Sequence, residues 1–372
     1  MAPTSPSSDS HSRLVDEYHR PVAARPRWIV VLAVTALLVA PAVADATLTF
    51  VRSPLKPTVW VAADNGSAQR RIAPGSNPRV SPNGQIVAFL HQGEGRSAKP
   101  ELMLAPADGS APVSRLATGW REISSFDWSP DSASIAAVLG PELGPKRLAL
   151  IDVVTGAQRT IARGFFSGVS FAPEGGRLVY GRARTEKFPP PSDVYLFDIP
   201  IPGAVNVAAP RPQQLTSDHR SLYPLWGPND RIVFVRLLGG RQRRYGPKNE
   251  LFLMDPNGKP IRRLTHTKVD PLTQGLYPQD WSQSGNQLLA EYEGQDTSYA
   301  VTVNPRTGAE HPLSKDPERG FVGTALSADG STVLGFSGGF EPGLGHKVAT
   351  IPYKGGPLTV LAKNAFEPDW SR

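Results

Sequence analysis

The segment Asp127-Trp-Ser-Pro-Asp-Ser132, followed by Ile135-Ala-Ala-Val138, gives the clearest indication of the fold. An aromatic or aliphatic residue, Ser-Pro or a related pair, a turn and an apolar run recur along the chain. The other copies of this mark begin at Arg79, Ser170, Leu225, Asp280, Ala325 and Asp369. The positions equivalent to Ser129 are separated by 48, 43, 55, 55, 45 and 44 residues. A period of this length, with strands between the marks, is typical of a β-propeller.

Each repeat predicts four antiparallel strands. The mark ends the first strand, and the apolar run that follows it is the second. A run such as Glu250–Met254 is the third strand, and a Leu-Thr-like ending such as Leu264-Thr265 belongs to the fourth. The runs are rich in β-branched and aromatic residues, and turns such as Pro256-Asn-Gly258 are strong hairpin signals. Four such strands bury their faces only by stacking on neighbouring repeats.

The two ends of the chain complete each other. Thr47–Val51, Thr58–Val61 and Gln69–Ile72 match the second, third and fourth strands of a repeat that lacks its first strand. Phe366–Ser371 matches a first strand with nothing after it. The sequence therefore predicts an all-β, seven-bladed β-propeller of four-stranded antiparallel blades over residues 47–372. Its ring would be closed by the N-terminal strands plus the C-terminal strand, which leaves no open edge.

Residues within the repeated marks are expected to serve the scaffold. Four tryptophans occupy equivalent positions, and we expect their rings to pack between blades. An aspartate precedes three of them, and a catalytic role would need one copy rather than three. These residues are Trp128, Trp226, Trp281 and Trp370, with Asp127, Asp280 and Asp369.

The first 46 residues predict export. Residues 1–27 form a polar leader, with Arg25 and Arg27 just before an apolar run. Residues 28–46 fit either a signal peptide, cleaved after Ala44 or Ala46, or an uncleaved membrane anchor over residues 28–44. Both alternatives place the body of the protein outside the cytoplasm, in the periplasm or at the cell surface, under the positive-inside rule.

Composition excludes several classes of function. The chain has no cysteine, so disulfides, thiolate chemistry and cysteine-ligated metals are ruled out. Its formal net charge of +7 favours an acidic protein or an anionic envelope polymer as partner. No helix-turn-helix, zinc-finger spacing or aromatic-basic RNA motif accompanies the charge, so nucleic acid is not an expected partner. We expect a monomeric propeller without a cofactor.

The Trp-Ser-Pro-Asp-type marks, the Ile-Ala-Ala-Val-type strands and the Leu-Thr endings resemble the TolB-like family of WD-like β-propeller repeats. The resemblance covers about residues 47–372 and implies an envelope-side propeller that binds other proteins. The namesake has six blades behind a separate α/β domain, whereas this sequence predicts seven blades behind a leader. The prolyl oligopeptidase family carries similar repeats joined to a hydrolase domain, but no Gly-x-Ser-x-Gly occurs in this sequence.

Strand order decides which connections share a face. First-to-second and third-to-fourth turns lie on one side, which we call the short-turn face because these turns are expected to be short in every repeat. Second-to-third loops and connections between blades lie on the other side, the long-loop face, where binding usually resides. Two neighbouring loops there predict a basic ridge with aromatic anchors, a composition favoured at binding hot spots. Its residues are Arg241, Arg243, Arg244, Tyr245 and Lys248, with Arg182, Arg184 and Phe188.

Signals for catalysis are few. His219 and His266 lie in connections near the channel mouth and, with Gln274 or Asp270, are the candidate ligands for a metal. Their spacing matches no recognisable metal motif, so the sequence predicts no metal site and no catalytic residue. Seven-bladed polysaccharide lyases that hold a metal through histidines resemble this arrangement. A metal-dependent carbohydrate-active enzyme therefore stays open as the alternative to a binding scaffold. Glu291 and Glu293 alternate to one face of a strand and fit a polar outer edge.

Overall fold

Both ends of the folded chain lie in one sheet. A computed structural model describes residues 47–93, 98–187, 189–200, 210–239, 247–269, 273–294, 298–313, 320–338 and 345–371. Strands β1 (Thr47–Arg52), β2 (Thr58–Ala63), β3 (Arg70–Pro74) and β27 (Ala365–Trp370) pair in the order β27-β1-β2-β3. All three pairings are antiparallel. The C-terminal strand therefore takes the place of the missing first strand, as the sequence predicts.

Two further sheets repeat this four-stranded arrangement with consecutive strands. One contains β4 (Ser76–Val80), β5 (Ile86–Gln92), β6 (Pro100–Pro106) and β7 (Ser114–Ala117). The other contains β23 (Phe321–Leu326), β24 (Thr332–Ser337), β25 (Lys347–Pro352) and β26 (Thr359–Lys363).

A seven-stranded sheet joins two such units through one long strand. It consists of β8 (Glu122–Trp128), β9 (Ser134–Gly140), β10 (Lys146–Asp152), β11 (Gln158–Phe171), β12 (Arg177–Ala183), β13 (Ser192–Asp198) and β14 (Gln213–Gln214). The 14 residues of β11 pair with β10 up to Gly164 and with β12 from Phe165 onward. One strand therefore ends one unit and begins the next.

An eight-stranded sheet joins two more units. It consists of β15 (Ser221–Gly227), β16 (Arg231–Leu238), β17 (Lys248–Met254), β18 (Arg262–Arg263), β19 (Thr273–Trp281), β20 (Leu288–Gly294), β21 (Ser298–Val303) and β22 (Glu310–Pro312). A single parallel pairing of Asn249 with Gly275 connects them. A Cβ at position 275 would lie 2.4 Å from the carbonyl oxygen of Asn249, so only glycine allows this approach.

The described residues thus form antiparallel four-stranded units and contain no α-helix, which confirms the predicted all-β class. One expectation about the connections is wrong. The turn between β13 and β14 spans residues 199–212, so a third-to-fourth connection is long in this repeat. The segment contains four prolines, which cannot donate ladder hydrogen bonds, and β14 pairs with β13 over two residues only.

Hydrophobic cores lie between neighbouring units. Trp128 is 5% exposed and belongs to a cluster with Leu102 and Leu104 of the preceding unit and Ile135 of its own. Trp226 and Trp281 occupy equivalent buried clusters. The repeated tryptophans therefore pack between units, as predicted.

The described ranges contain no helix long and apolar enough to cross a membrane. The predicted leader, residues 1–27, and the predicted signal peptide or anchor, residues 28–46, lie outside the described residues.

Candidate functional site

One cavity of about 900 Å³ lies inside the innermost strands of the units. Residues of β4, β8, β11, β15, β19, β23 and β27 all line it. First-to-second turns, such as those at Pro82, Pro130 and Pro228, also line it, so the cavity reaches the short-turn face. This cavity, which we call the channel, is therefore bounded by the repeated marks.

The repeated acidic residues bridge neighbouring sheets along this channel. The Asp280 carboxylate accepts a 2.6 Å hydrogen bond from the backbone N–H of Leu326. Ser170 occupies the position of the aspartate in its repeat. Its hydroxyl oxygen accepts a 3.0 Å hydrogen bond from the backbone N–H of Trp226. These cross-sheet hydrogen bonds confirm a scaffold role for this position in the repeat.

Asp127 makes the same kind of contact from a partly buried position in the cavity lining. Burial raises the pKa of Asp127 to about 6, while Arg79 and the N–H groups of Trp128 and Phe171 act in the opposite direction. Phe171 lies in the unit that follows Asp127. In the same way, Leu326, which donates to Asp280, lies in the unit that follows Asp280. A carboxylate without these donors would be costly to ionise in such a place.

The Leu-Thr mark also has a structural explanation, which sequence reasoning missed. The Thr265 hydroxyl donates to Glu250 at 2.6 Å and accepts the N–H of Leu251 at 2.9 Å. In the preceding unit the Thr216 hydroxyl donates to Asp193 and accepts the N–H of Val194. We call this arrangement the carboxylate–threonine pair; it ties the segment just after the fourth strand to the start of the third. An acidic residue opening the third strand is the signal that could have revealed it.

The two candidate metal ligands contact different carboxylates in the structure. His219 Nδ1 lies 2.6 Å from Asp193, and its backbone N–H also donates to that carboxylate. His266 donates its backbone N–H to Glu310 at 3.2 Å. Gln274 accepts from the Tyr277 hydroxyl at 2.6 Å, and Asp270 lies outside the described residues. No group of three potential His, Cys, Asp or Glu ligands occurs in the described part of the chain.

Most of the predicted basic ridge cannot be placed. Arg241, Arg243, Arg244, Tyr245 and Phe188 lie outside the described residues. Lys248 forms an ion pair with the buried Glu250, and the Arg182 guanidinium lies 5.9 Å from the centre of the Tyr195 ring. Arg184 is exposed. Two of the three placed residues therefore have internal contacts.

Arg184 belongs to a group of four basic side chains in connections on the long-loop face. Arg184 and Lys187 follow β12, Arg220 precedes β15, and Lys268 precedes β19. All four are exposed, and none forms an ion pair within the part of the chain that the structure describes. The pairing of Ser192 with Arg220 brings two of these connections together. The long-loop face thus carries unpaired positive charge in two adjacent units and the connection that follows them.

A polar cluster lies in the wall of the channel, next to the pairing of Asn249 with Gly275. Glu291 accepts a 2.8 Å hydrogen bond from Gln279, which lines the cavity, and also a bond from the Ser298 hydroxyl. The rings of Tyr223 and Tyr277 meet edge to face, with 5.2 Å between their centres. Glu291 and Glu293 therefore lie on the second strand of their unit, near the channel, and the expectation of a polar outer edge is wrong.

Ionisation in this cluster is strongly perturbed. Burial raises the pKa of Glu291 to about 7, with Ser298 opposing the shift and Glu293 adding to it. Burial also raises the pKa of Glu293. The pKa values of Tyr223 and Tyr277 are raised by burial and further by the nearby Glu293 carboxylate. Burial in this cluster therefore favours the protonated, neutral forms of these side chains.

Comparisons with known proteins identify the fold. No family model matches the chain. No curated protein sequence matches it either. Among solved structures, TolB from Acinetobacter baumannii is 15% identical with a TM-score of 0.53, over 88% of this chain and 83% of that chain. The β-propeller domain of the trilobed protease from Pyrococcus furiosus is 15% identical with a TM-score of 0.59, over 86% of this chain and 94% of that chain.

An oligogalacturonate lyase in complex with manganese is 14% identical with a TM-score of 0.55, over 84% of this chain and 83% of that chain. The chain therefore has a TolB-like β-propeller fold. A TolB, a protease domain and a lyase share this fold, so the fold by itself assigns no activity.

Proposed function

We propose that this TolB-like propeller is an exported, non-catalytic scaffold that binds an acidic protein or an anionic envelope polymer through its long-loop face. In this proposal the described units and residues 47–372 form one seven-bladed ring, closed by the pairing of β27 with β1. The lining of a single cavity by innermost strands from every unit supports that ring.

The observation that carries the proposal is the distribution of charge on the long-loop face. Arg184, Lys187, Arg220 and Lys268 are exposed without an ion pair in the described ranges. Asp193 and Glu250 on this face contact Thr216 and Thr265, and Glu186 is the exposed acidic residue between Arg184 and Lys187. Arg241, Arg243 and Arg244 of the predicted ridge would add to the same positive surface. Exposed charges of one sign attract a partner of the opposite sign and orient its approach.

The test is cross-linking of the full chain in native envelope, beside two variants of equal charge. Arg184→Glu/Lys187→Glu/Arg220→Glu reverses the long-loop face. Lys259→Glu/Arg306→Glu/Lys354→Glu reverses three exposed residues in third-to-fourth turns on the short-turn face. We expect one partner to be captured by the wild type and by the second variant, and lost with the first. Equal capture by both variants would contradict the proposal.

The alternative function is a metal-dependent, polysaccharide lyase-like enzyme at the channel mouth. The observation in its favour is the contact of His219 with Asp193, since a carboxylate behind an imidazole is common at metal and base sites. The His219 side chain is 54% exposed and so accessible. Cleavage of a polysaccharide that stops on chelation and with His219→Ala would favour the enzyme over the scaffold.

A further inference from the structure

We propose that part of the short-turn face lies against an anionic lipid surface, through the third-to-fourth turns of three consecutive units. These turns span residues 255–261, 304–309 and 353–358, and we call them the basic rim. The inference rests on the proposed export of the chain, but it does not depend on the partner proposed for the long-loop face.

Hydrogen bonds join each turn of the basic rim to the neighbouring unit. Arg262, just after the first turn, donates from Nη2 to the Pro305 carbonyl at 3.1 Å. The Tyr353 hydroxyl donates to the Val303 carbonyl at 2.9 Å. The sheet that holds both chain ends comes next, through a 3.1 Å hydrogen bond from the Gln69 amide to β26. The three turns therefore form one continuous surface that adjoins the sheet of β27, β1, β2 and β3.

The basic rim carries more positive than negative charge. Lys259, Arg306 and Lys354 are exposed, and none forms an ion pair with another described residue. Asp255 is the acidic residue of the three turns, and its carboxylate accepts backbone N–H groups of its own turn. The third-to-fourth turns that follow β6 and β10 contain no lysine or arginine. Basic residues near a membrane surface are attracted by anionic headgroups.

The other acidic residues in turns of the short-turn face lie outside the basic rim. They are Asp131, Glu174, Asp230 and Asp329 in first-to-second turns, with Asp64 and Asp108 in the third-to-fourth turns of two other units. Glu174 and Asp230 form ion pairs with Arg177. First-to-second turns are nearer the channel than third-to-fourth turns, because they follow the innermost strands. We therefore assign the basic rim, and not the whole face, to the lipid.

Exposed apolar side chains accompany the positive charges. Ile261 is 38% exposed, Leu358 43% and Val360 44%. Ile261 and Leu358 end the rim turns that contain Lys259 and Lys354, and Val360 follows on β26. Segments that lie on a bilayer are held by apolar side chains buried among the headgroups and by attraction of basic residues to anionic lipids. The basic rim offers both contributions in adjacent positions.

The start of the described chain lies on the same face. The Thr47 backbone N–H donates to the Ser371 hydroxyl at 2.8 Å, and its own hydroxyl donates to the Gly84 carbonyl in a first-to-second turn at 3.1 Å. An anchor over residues 28–44, one of the two alternatives predicted from the sequence, would be linked to Thr47 by a pair of residues that span about 7 Å at most. Such an anchor would hold the short-turn face, and not the long-loop face, next to the bilayer.

The test reads which face touches lipid, with the full chain in vesicles of phosphatidylcholine and phosphatidylglycerol. The chain has no cysteine, so a single introduced cysteine carries the only dye. An NBD label at Leu358→Cys reports on the basic rim. The same label at Leu143→Cys, which is 81% exposed in a second-to-third loop, reports on the long-loop face. Spin-labelled phosphatidylcholine quenches a dye that contacts the bilayer.

We expect quenching at position 358 to exceed quenching at position 143 about two-fold or more, because the apolar end of the rim turn enters the headgroup region. Equal quenching at the two positions, including none at either, would overturn the proposal. Stronger quenching at position 143 would overturn it as well. The vesicles contain no partner for the long-loop face, so a failure of capture in the native envelope leaves this result unaffected.

Charge variants of the labelled Leu358→Cys protein separate the basic rim from a simple tether. Lys259→Glu/Arg306→Glu/Lys354→Glu should reduce quenching at position 358 about two-fold or more, because the rim then repels phosphatidylglycerol. Undiminished quenching by this variant would overturn the assignment to anionic lipid.

The matched control makes the same charge change at three exposed residues outside the short-turn face. It is Arg121→Glu/Arg163→Glu/Lys347→Glu. We expect this control to be quenched at position 358 like the parent protein. An equal loss of quenching in both variants would show that net charge, and not the basic rim, holds the protein at the lipid, and would overturn the proposal.

Discussion

The Asp369 carboxylate accepts a 2.8 Å hydrogen bond from the backbone N–H of Val80, 289 residues earlier in the chain. Asp369 lies on the C-terminal strand and Val80 on the innermost strand of the next sheet. Trp128 makes a similar cross-sheet contact, since its Nε1 donates to the Arg79 carbonyl at 3.1 Å. Neighbouring sheets are thus joined by specific polar contacts on the channel side as well as by their apolar cores.

Replacing Asp369 tests the value of this contact. We expect Asp369→Ala to lower the free energy of unfolding by about 1–3 kcal/mol, because the Val80 N–H loses its acceptor in a buried setting. Asp369→Asn keeps an acceptor oxygen and should lower it less. Urea unfolding of the three proteins measures the difference. Equal losses for Asn and Ala would show that charge, not the hydrogen bond, matters here.

The tryptophans offer a matched pair of substitutions. Trp128 Nε1 donates to a carbonyl, whereas Trp226 Nε1 has no partner among the described residues. Both rings are buried to a similar degree, so Trp→Phe removes a similar area in each case. We expect Trp128→Phe to lower the free energy of unfolding by about 1 kcal/mol more than Trp226→Phe does. Thermal and urea unfolding measure both variants, and equal losses would show that packing alone decides.

The carboxylate–threonine pair predicts a sharp difference between two small changes. Thr265→Ala removes the hydroxyl that contacts Glu250 and Leu251, and should lower the free energy of unfolding by about 1–3 kcal/mol. Thr265→Ser keeps the hydroxyl and should retain most of the stability. If the serine variant is as unstable as the alanine variant, the methyl group and not the hydroxyl stabilises the strand.

Glu291 predicts a pH dependence of stability. Its pKa is raised from 4.5 to about 7 in the folded protein, so the folded state holds this proton more tightly than the unfolded state does. The free energy of unfolding should therefore fall as the pH rises from about 4.5 to about 7. Glu291→Gln removes this contribution, and the stability of the wild type relative to the variant should decline across that window. Parallel curves for the two proteins would contradict the raised pKa.

Binding through the long-loop face predicts a dependence on salt. Exposed charges are screened over about 8–10 Å at physiological ionic strength. We expect the association rate with the captured partner to fall as salt is raised, and to fall less for the Arg184/Lys187/Arg220 variant. Surface plasmon resonance at several salt concentrations measures both slopes. Binding that does not respond to salt would exclude these residues as the attracting surface.

The parts of the fold that follow from local pattern could be predicted. The marks, the turns and the incomplete repeats at both ends define four-stranded units and the pairing of β27 with β1, because register and turn chemistry are local properties. The scaffold role of Asp280 and Asp369 follows from their repetition.

The polar cluster around Glu291 and the carboxylate–threonine pairs could not be predicted from the sequence. Their contacts depend on how the strands of a unit are placed relative to one another. Alternation places Glu291 and Glu293 on one face but does not say whether that strand lies near the channel or near the outer edge. Asp193 and Thr216 are 23 residues apart, and only the folded unit brings them together. The long connection between β13 and β14 likewise has no signal in the repeat mark.

The continuous strand β11 has a consequence for the dynamics of the protein. The strand runs without interruption from one unit into the next, so no loop separates its ladder with β10 from its ladder with β12. Amide hydrogens from β8 to β13 are therefore expected to exchange with solvent in one cooperative step, whereas the units formed by β4–β7 and by β23–β26 can open singly. The block from β8 to β13 would then exchange last among these units, and it includes β12, which directly precedes the exposed Arg184 and Lys187.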